Sequence, residues 1–560
     1  MRHALPLLLT ALVPLLAFAC SESIPTPVEA SPDAGVGEIE AGAGDGAPGP
    51  TFLDGPYGTM PRDVAGPFTV ATSDGTLSFR DAWTGEDHWM FVGYAPNTMS
   101  DGSGDYSLGL FAGSVGVRKL IAESPKNAHY VFFWYKDQPG FEAFEARVRG
   151  VIDGLSEADR EHWSQRFHFV TEKVDQVEGW FGDMVRDRLA APLVVKRFDP
   201  FQFAVDRTQH VREVGMLGQL TTKGQSTELS FLASEPVYYE YEHARDARLA
   251  ASKATVVELL KGKLLDDEAY VTVDLPDAST MQSFDTLELD LTMDCEHHRD
   301  GECGAWDYLA NLYVCDPASS NGGGDAGDDA GVKPVCDTEI GRWITSYWRE
   351  ARWVTDVSSM LPLLQSGKQT FRWAAGKQWD PKPAKYVVSL SLRLSNTGKG
   401  MRPASVKKLW TGGEFDADYP SLHPKTAFDV PAGTKKVEIY ALVTGHGADT
   451  SHCAEFCNHT HHFAVNGKSH DIDFPEAGNQ DGCRKRVAEG VAPNQWGTWY
   501  LGRGGWCPGF DVRPFVFDVT GDATAASNEL TYHALVGTSE LAPGVKYGNI
   551  DLTSYLVFWR

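Results

Sequence analysis

The chain has 560 residues, more than one hydrophobic core organises, so two to four domains are expected. Hydrophobic residues make up 42% of it and aromatic residues 11%, ample for globular packing. A formal net charge of -26 argues against DNA or RNA as partner, because phosphate contacts need clustered Lys and Arg.

Residues 1–20 read as an export signal. Met1-Arg2 supplies the positive start, and the apolar run Ala4 to Ala19 is too short and wrongly flanked for a membrane span. Ala17-Phe18-Ala19 fits an ordinary small-x-small cleavage site, while Cys20 directly after it fits a lipoprotein site. The lipoprotein pattern usually carries Leu and a small residue where this chain has Ala17 and Phe18. Cysteine arithmetic favours lipidation: there are nine Cys, and setting Cys20 aside leaves eight, which can pair in an oxidising compartment. The expectation is an exported outer-membrane or cell-surface lipoprotein anchored through Cys20, or otherwise a secreted protein.

Residues 21–54 are rich in Gly, Ala, Pro and Asp and have little to bury, so they read as a flexible tether. A formal G-x-G-x-x-G at Gly44 to Gly49 follows no strand and opens no helix, and it carries no nucleotide reading.

From 55 to 252 the pattern alternates. WMFVGYA and HYVFFWYK predict buried strands, GVRKLIAES, FEAFEARVRGVIDGL and DREHWSQRFHFV predict helices, and APLVVKRF and QFAVDRTQHVREVG predict further strands. Strand-helix-strand alternation points to an α/β layer fold, and the order resembles a thioredoxin-like domain. The segment contains no Cys, so it has no thiol redox chemistry and reads as a structural or substrate-positioning module. The run Asp101 to Asp105 could hold calcium but reads first as a solvated turn.

After about Thr255 the texture changes to short strands such as AYVTVDL, TLELDLTM, YLANLYV, YVVSLSLRLS and KKVEIYALVTG, punctuated by turn residues. That pattern predicts two all-β domains of the sandwich or jelly-roll type, 255–398 and 403–560. The low-complexity insertion DPASSNGGGDAGDDAGVKPV lies between Cys315 and Cys336, whose pairing would close its stem.

Three segments carry candidate chemistry. In the first, Cys295 and Cys303 are expected to bridge and stiffen a loop running into Trp306-Asp307. A carboxylate beside an indole and a rigid loop can be partly desolvated, and its raised pKa suits a general base. In the second, Cys453 and Cys457 bracket Glu455, and a disulfide across so few residues fixes where the carboxylate points. His459 and His461 beside this pair could suggest zinc, although thiols of an exported chain oxidise and leave no ligand set. In the third, PNQWGTWYLGRGGWCPGFDV, Cys507 is expected to pair with Cys483, and Arg503 lies among Gly residues near Trp496, Trp499 and Trp506. Arginine can stabilise a developing oxyanion, and Trp faces suit sugar rings.

Taken in order, these segments resemble the peptide-N-glycosidase F family. The residues that carry the resemblance are Cys295, Cys303, Trp306-Asp307, Ala310-Asn311 and Tyr313-Val314, then Glu339-Ile340-Gly341-Arg342-Trp343-Ile344-Thr345 and Tyr347-Trp348. They continue with Cys453-Ala454-Glu455-Phe456-Cys457, Arg503, and Gly505-Trp506-Cys507-Pro508-Gly509. The resemblance covers about Thr255 to Arg560. It implies two jelly rolls packed side by side with the active site between them, and no metal or organic cofactor. It also implies hydrolysis of the amide joining asparagine to the first N-acetylglucosamine of N-linked glycans, so that N-glycosylated proteins or glycopeptides are the partners. By position, Asp307 would be the primary catalytic carboxylate, Glu455 a second acidic residue acting on the substrate through water, and Arg503 the active-site arginine. Trp379 and Trp506 would line the cleft. Tyr308 and His446 would contact substrate at positions where the family has Arg and a cleft Trp. A third family carboxylate, two residues before the Trp379 position, is absent from Gly376-Lys377-Gln378. This departure keeps open a non-catalytic glycan-binding lipoprotein. A type II copper monooxygenase-like reading also stands, on His297-His298 and His459-Thr460-His461.

Overall fold

The computed structural model describes residues 51–95, 97–100, 105–135, 139–190, 202–218, 220–222, 230–265, 267–316, 333–375, 385–447, 451–524 and 526–560. The expected signal at 1–20 with Cys20, most of the expected tether, Trp379, the predicted strand APLVVKRF and most of the Cys315–Cys336 insertion lie outside the described residues.

The N-terminal region is built on a seven-stranded sheet. Its order is Gly75–Ser78, Thr69–Thr72, Phe167–Lys173, Ala128–Trp134, His88–Gly93, Gln202–Val205 and Val211–Glu213. The strands His88–Gly93, Ala128–Trp134 and Phe167–Lys173 run parallel. All six residues of His88–Gly93 are buried, which is why this strand reads as an apolar run rather than an alternation. Helices Ser114–Glu123, Phe141–Asp153, Glu157–Ser164 and Trp180–Ala190 accompany the sheet.

One expected helix divides. The first half of DREHWSQRFHFV, Asp159 to Ser164, belongs to Glu157–Ser164, a helix capped by Ser156 Oγ accepting from the Asp159 amide at 3.2 Å. Its second half is a strand, because Phe167 and Phe169 recur two apart and are both buried against the neighbouring strand.

The remainder is almost entirely β, so the chain is a mostly β-sheet multidomain protein. A four-stranded sheet runs Thr255–Leu265, Tyr386–Ser395, Thr286–Asp294, Ala351–Asp356. A five-stranded sheet runs Glu268–Leu275, Gly367–Ala375, Leu309–Val314, Thr338–Ile344, Phe510–Asp511. Leu289 and Leu291 of one share a core with Leu312, Trp343 and Phe371 of the other. Two further four-stranded sheets follow: Pro403–Glu414, Asn549–Trp559, Lys436–His446, Phe515–Asp518, and Thr426–Phe428, Asn528–Val536, His459–Val465, Lys468–Asp473. Their core includes Phe463, Ile439 and Leu530.

The short strand Phe510–Asp511 comes from the C-terminal region and yet completes the five-stranded sheet against Trp343 and Ile344. Nearby, Arg342 and Glu339 form a buried bidentate pair, with Nε to Oε1 and Nη2 to Oε2 both 2.7 Å. Arg342 Nη1 also donates to Thr444 Oγ1 at 2.9 Å and to the Asp551 carbonyl at 2.5 Å. Thr553 Oγ1 and Asn311 Nδ2 donate to the Glu339 carboxylate at 2.5 and 2.7 Å. Every charge in this clasp is satisfied, and it ties the second pair of sheets to the first.

The N-terminal region is docked as well. Glu235, at the start of the 18-residue helix Ser234–Ala251, pairs with Arg349 at 2.7 Å and accepts from Asn494 Nδ2 at 2.8 Å. Residues from all three regions therefore meet at one buried carboxylate.

Candidate active site

Asp307 stands two residues before the strand Leu309–Val314. Thr345 clamps the chain on both sides of it: its hydroxyl donates to the Trp306 carbonyl at 2.7 Å and accepts from the Tyr308 amide at 2.8 Å. The Tyr347 hydroxyl donates to Asp307 Oδ2 at 2.6 Å. Upstream, Gly304 lies where a Cβ would meet the Tyr386 ring at 2.4 Å, so the loop closed by Cys295–Cys303 can press onto the core only with glycine there.

Glu455 sits in the one-turn helix Cys453–Phe456, closed by the Cys453–Cys457 disulfide. Arg503, with its side chain 1% exposed, lies between the two carboxylates. Its Nε is 3.0 Å from Glu455 Oε1, and its Nη2 is 4.0 Å from Asp307 Oδ2. The rest of the guanidinium is held by the Leu501 carbonyl at 2.8 Å, the Thr498 carbonyl at 3.2 Å and Thr498 Oγ1 at 2.9 Å. Gly504 donates its amide to the Glu455 carbonyl at 2.8 Å. A Cβ at Gly504 would fall 2.3 Å from His459 Nε2 and 2.5 Å from the Ala454 carbonyl, so only glycine allows this approach.

The electrostatics of the pair follow from this frame. Burial raises the pKa of Asp307, against the Tyr347 hydrogen bond and the Arg503 charge, which lower it. Burial pushes Glu455 up to about 7; Arg503 opposes the shift and the Asp307 charge adds to it. Two carboxylates thus share one arginine in a partly desolvated site, and Glu455 titrates near neutrality.

The other expected site residues have different settings. Trp506 is 4% exposed, with Arg503 over its ring at 5.0 Å and the His446 ring stacked on it at 5.0 Å. Its indole N–H donates to the Gly445 carbonyl at 2.7 Å. The ring is thus a buried support for Arg503 beside the carboxylate pair. His446 is partly exposed, accepts or donates at Thr444 Oγ1 at 2.8 Å, and has its pKa lowered to about 3 by burial and by Arg342 and Arg503. Tyr308 is 7% exposed beside the Thr345 clamp. Trp379 lies outside the described residues.

The structure forms the bridges Cys295–Cys303, Cys315–Cys336, Cys453–Cys457 and Cys483–Cys507. It does not assemble the histidines of the copper reading. His459 and His461 are fully buried and bonded to one another at 2.7 Å, and His461 also meets the Tyr532 hydroxyl at 2.5 Å. His298 instead meets Asp294 at 2.5 Å, and His297 meets Glu302 at 3.0 Å. Among the described residues the group spaced for a metal is Asp294, His298 and Glu350, where the Arg62 guanidinium already stands 3.0 Å from Asp294 and 2.5 Å from Glu350.

Thr345, Tyr347 and the Glu339–Arg342 clasp were not singled out from sequence for any role. Their signal was present as polar residues inside an otherwise apolar strand and the turn after it, EIGRWITSY.

Residues 418–557 match the family model described as peptide-N-glycosidase F, C terminal. The chain is 25% identical over 285 residues to the peptide-N(4)-(N-acetyl-beta-D-glucosaminyl)asparagine amidase F of Elizabethkingia miricola, which covers 48% of this chain and 71% of that protein. Among solved structures, PNGase F, titled a glycosylasparaginase from Flavobacterium meningosepticum, aligns with 20% identity over 55% of this chain and 96% of its own, at a TM-score of 0.42. PNGF-II aligns with 12% identity over 64% of this chain and 74% of its own, at a TM-score of 0.40. On the sequence matches the chain is PNGase F-like, homologous to that amidase over about half its length.

Proposed function

We propose that this protein is a peptide-N-glycosidase, hydrolysing the amide between asparagine and the first N-acetylglucosamine of N-linked glycans on proteins or glycopeptides. The observation that carries the reading is the convergence of Asp307 and Glu455, from distant segments, on the guanidinium of Arg503, at 4.0 and 3.0 Å. In this reading Asp307 is the general base. Tyr347 donates to its Oδ2 and the Arg503 guanidinium faces the same oxygen from 4.0 Å, and in this reading the attacking water is activated at Oδ1. Water adds to the amide carbon, and its proton passes to Asp307. Glu455, about half protonated near neutral pH, supplies a proton to the departing nitrogen, so that aspartate and a glycosylamine result. Arg503 stabilises the oxyanion as it develops.

The finer assignments belong to the same proposal: a cysteine-free thioredoxin-like domain at 55–252, jelly rolls at 255–398 and 403–560, a signal at 1–20 and a lipid anchor on Cys20 at the cell surface. The test is incubation with a denatured N-glycoprotein and mass analysis for Asn-to-Asp conversion. Release of glycan by the parent and none by Asp307→Ala is expected. A folded parent that releases none of several glycan types would overturn the reading, and glycopeptide binding without turnover would favour a glycan-binding protein instead.

A further inference from the structure

Asp307 is held by the Tyr347 hydroxyl, and Tyr347 lies in a turn, residues 346–349, that the N-terminal region grips. The turn is drawn tight from within: the Ser346 hydroxyl donates to the Arg349 carbonyl, and the Tyr386 hydroxyl donates to the Ser346 carbonyl at 2.7 Å. The Tyr347 amide donates to Gln495 Oε1 at 2.8 Å. Gln495 is fully buried, and its Nε2 donates to the Ala492 and Pro508 carbonyls at 2.6 and 2.8 Å. Two carbonyls therefore fix which way the side-chain amide faces, and its oxygen is turned to Tyr347.

Glu235 reaches this turn by two routes. By the first, its carboxylate pairs with Arg349, two residues after Tyr347, with Nη1 to Oε1 at 2.7 Å and Nη2 to Oε2 at 3.4 Å. The same guanidinium donates to the Pro493 carbonyl at 2.5 Å and the Glu213 carbonyl at 3.3 Å. By the second, Glu235 Oε1 accepts from Asn494 Nδ2 at 2.8 Å, and Asn494 is the chain neighbour of Gln495. The Met216 amide donates to the Asn494 carbonyl at 2.7 Å, and the Gly215 amide donates to Glu235 Oε1 at 2.9 Å. A Cβ at Gly215 would fall 2.1 Å from the Asn494 carbonyl and 2.8 Å from Arg349 Nη1, so the N-terminal region comes this close only because glycine stands there.

Arg349 has a second carboxyl beside it, Asp300, whose Oδ2 is 2.8 Å from Nε. Burial pushes the Asp300 carboxyl up against the Arg349 charge, and Glu213, Glu235 and Glu350 add to the rise. Glu235, Arg349, Asn494 and Gln495 are all buried. Hydrogen bonds and ion pairs in such an interior are little screened, so displacement of one member is passed to the next.

We propose that Glu235 is a positioning residue for the catalytic pair: through it, the N-terminal region holds the 346–349 turn and the Gln495 amide so that the Tyr347 hydroxyl stays on Asp307 Oδ2. The role in catalysis rests on the reading of Asp307 as general base. Glu235 itself acts only through Tyr347, whose hydrogen bond lowers the Asp307 pKa. The N-terminal region is then part of the frame of the site.

The test uses the full chain with two substitutions, each cutting one route. Glu235→Gln keeps an acceptor oxygen for Asn494 and Gly215 and takes a charge from Arg349, which retains Asp300. Asn494→Gly removes the amide donor at a residue with φ of 55°, which glycine adopts freely. Each is expected to lower kcat on a glycopeptide about ten-fold while KM stays within about two-fold, and to move the acid limb of the pH–rate profile to higher pH. Combined with Tyr347→Phe, each should cost less than about two-fold more, because all act through one hydroxyl. A second readout needs no turnover: fluorine NMR of the full chain with a ring-fluorinated tyrosine in place of Tyr347. Its signal should follow ionisation of Asp307 and stop titrating in Asp307→Asn. The titration midpoint should rise in both variants. A midpoint unmoved in both overturns the proposal, as does a rate loss that multiplies fully with that of Tyr347→Phe. If the parent releases no glycan, the glycosidase reading falls, and the fluorine titration still decides whether Glu235 positions Tyr347.

Discussion

Two of the carboxylate–arginine clusters in the β region are built to opposite ends. In the Glu339–Arg342 clasp the carboxylate accepts two bonds from one guanidinium and two more from Thr553 and Asn311. Arg342 and these hydrogen bonds hold Glu339 below the usual carboxylate range despite full burial. In the Asp307–Glu455–Arg503 cluster one guanidinium serves two carboxylates at 3.0 and 4.0 Å and spends its remaining donors on Leu501 and Thr498. Burial there wins, and both carboxyls are pushed up. Identical residue types therefore give a structural clasp when hydrogen bonds saturate the charge, and proton-transfer groups when they do not.

Substitutions that exchange these properties would break the comparison. The largest effect on rate is expected at Asp307→Asn, which keeps shape and loses basicity. A fall of about 10³-fold in glycan release with an unchanged melting temperature is expected. A melting temperature that falls in step with activity would assign Asp307 to the structural class instead. Glu339→Gln should show the converse behaviour. Leaving Arg342 buried without its counter-charge should cost about 3–5 kcal/mol in urea unfolding, with the rate per folded molecule changed far less.

Tyr347→Phe tests the boundary between the two behaviours. One hydrogen bond to the Asp307 carboxylate is removed, so a loss of about ten-fold in rate is expected. Because that bond lowers the Asp307 pKa, its loss should also move the acid limb of the pH–rate profile to higher pH. A rate loss without that shift would mean the tyrosine only packs.

The smallest effect concerns stability and pH. Glu455 has an ordinary value of 4.5 and a folded value of about 7, so the folded state holds this proton more tightly than the unfolded one. Its contribution to stability is greatest below the unfolded value, is lost as pH rises toward about 7, and stays constant above. Glu455→Gln should remove that slope, as read by urea midpoints at about pH 5 and about pH 8. An unaltered slope would show that Glu455 is not desolvated in solution.

Much of the site could be read in order along the chain, because disulfide spacing and short motifs are local. The brackets Cys295–Cys303 and Cys453–Cys457 already marked Asp307 and Glu455 as held carboxylates. The β texture after Thr255 was equally local, since alternation of apolar residues reports one buried face. Where two signals overlapped within a few residues the reading slipped: DREHWSQRFHFV holds a helix end and a strand start, and the helical half masked Phe167 and Phe169.

What the sequence by itself determined was therefore the residue inventory: which carboxylates are constrained, which cysteines can pair nearby, and where α/β patterning gives way to β. What only the tertiary structure decided was partnership across long separations. Residues 102 to 211 positions from Arg342 saturate it and seal the two pairs of sheets together. Arg503 joins Glu455 to Asp307, Phe510–Asp511 completes a sheet begun far upstream, and Trp506 is buried against Arg503. The physical reason is that hydrogen bonding and desolvation depend on distance in space. A pKa or a satisfied charge is a property of neighbours, and the neighbours are chosen by how the sheets pack.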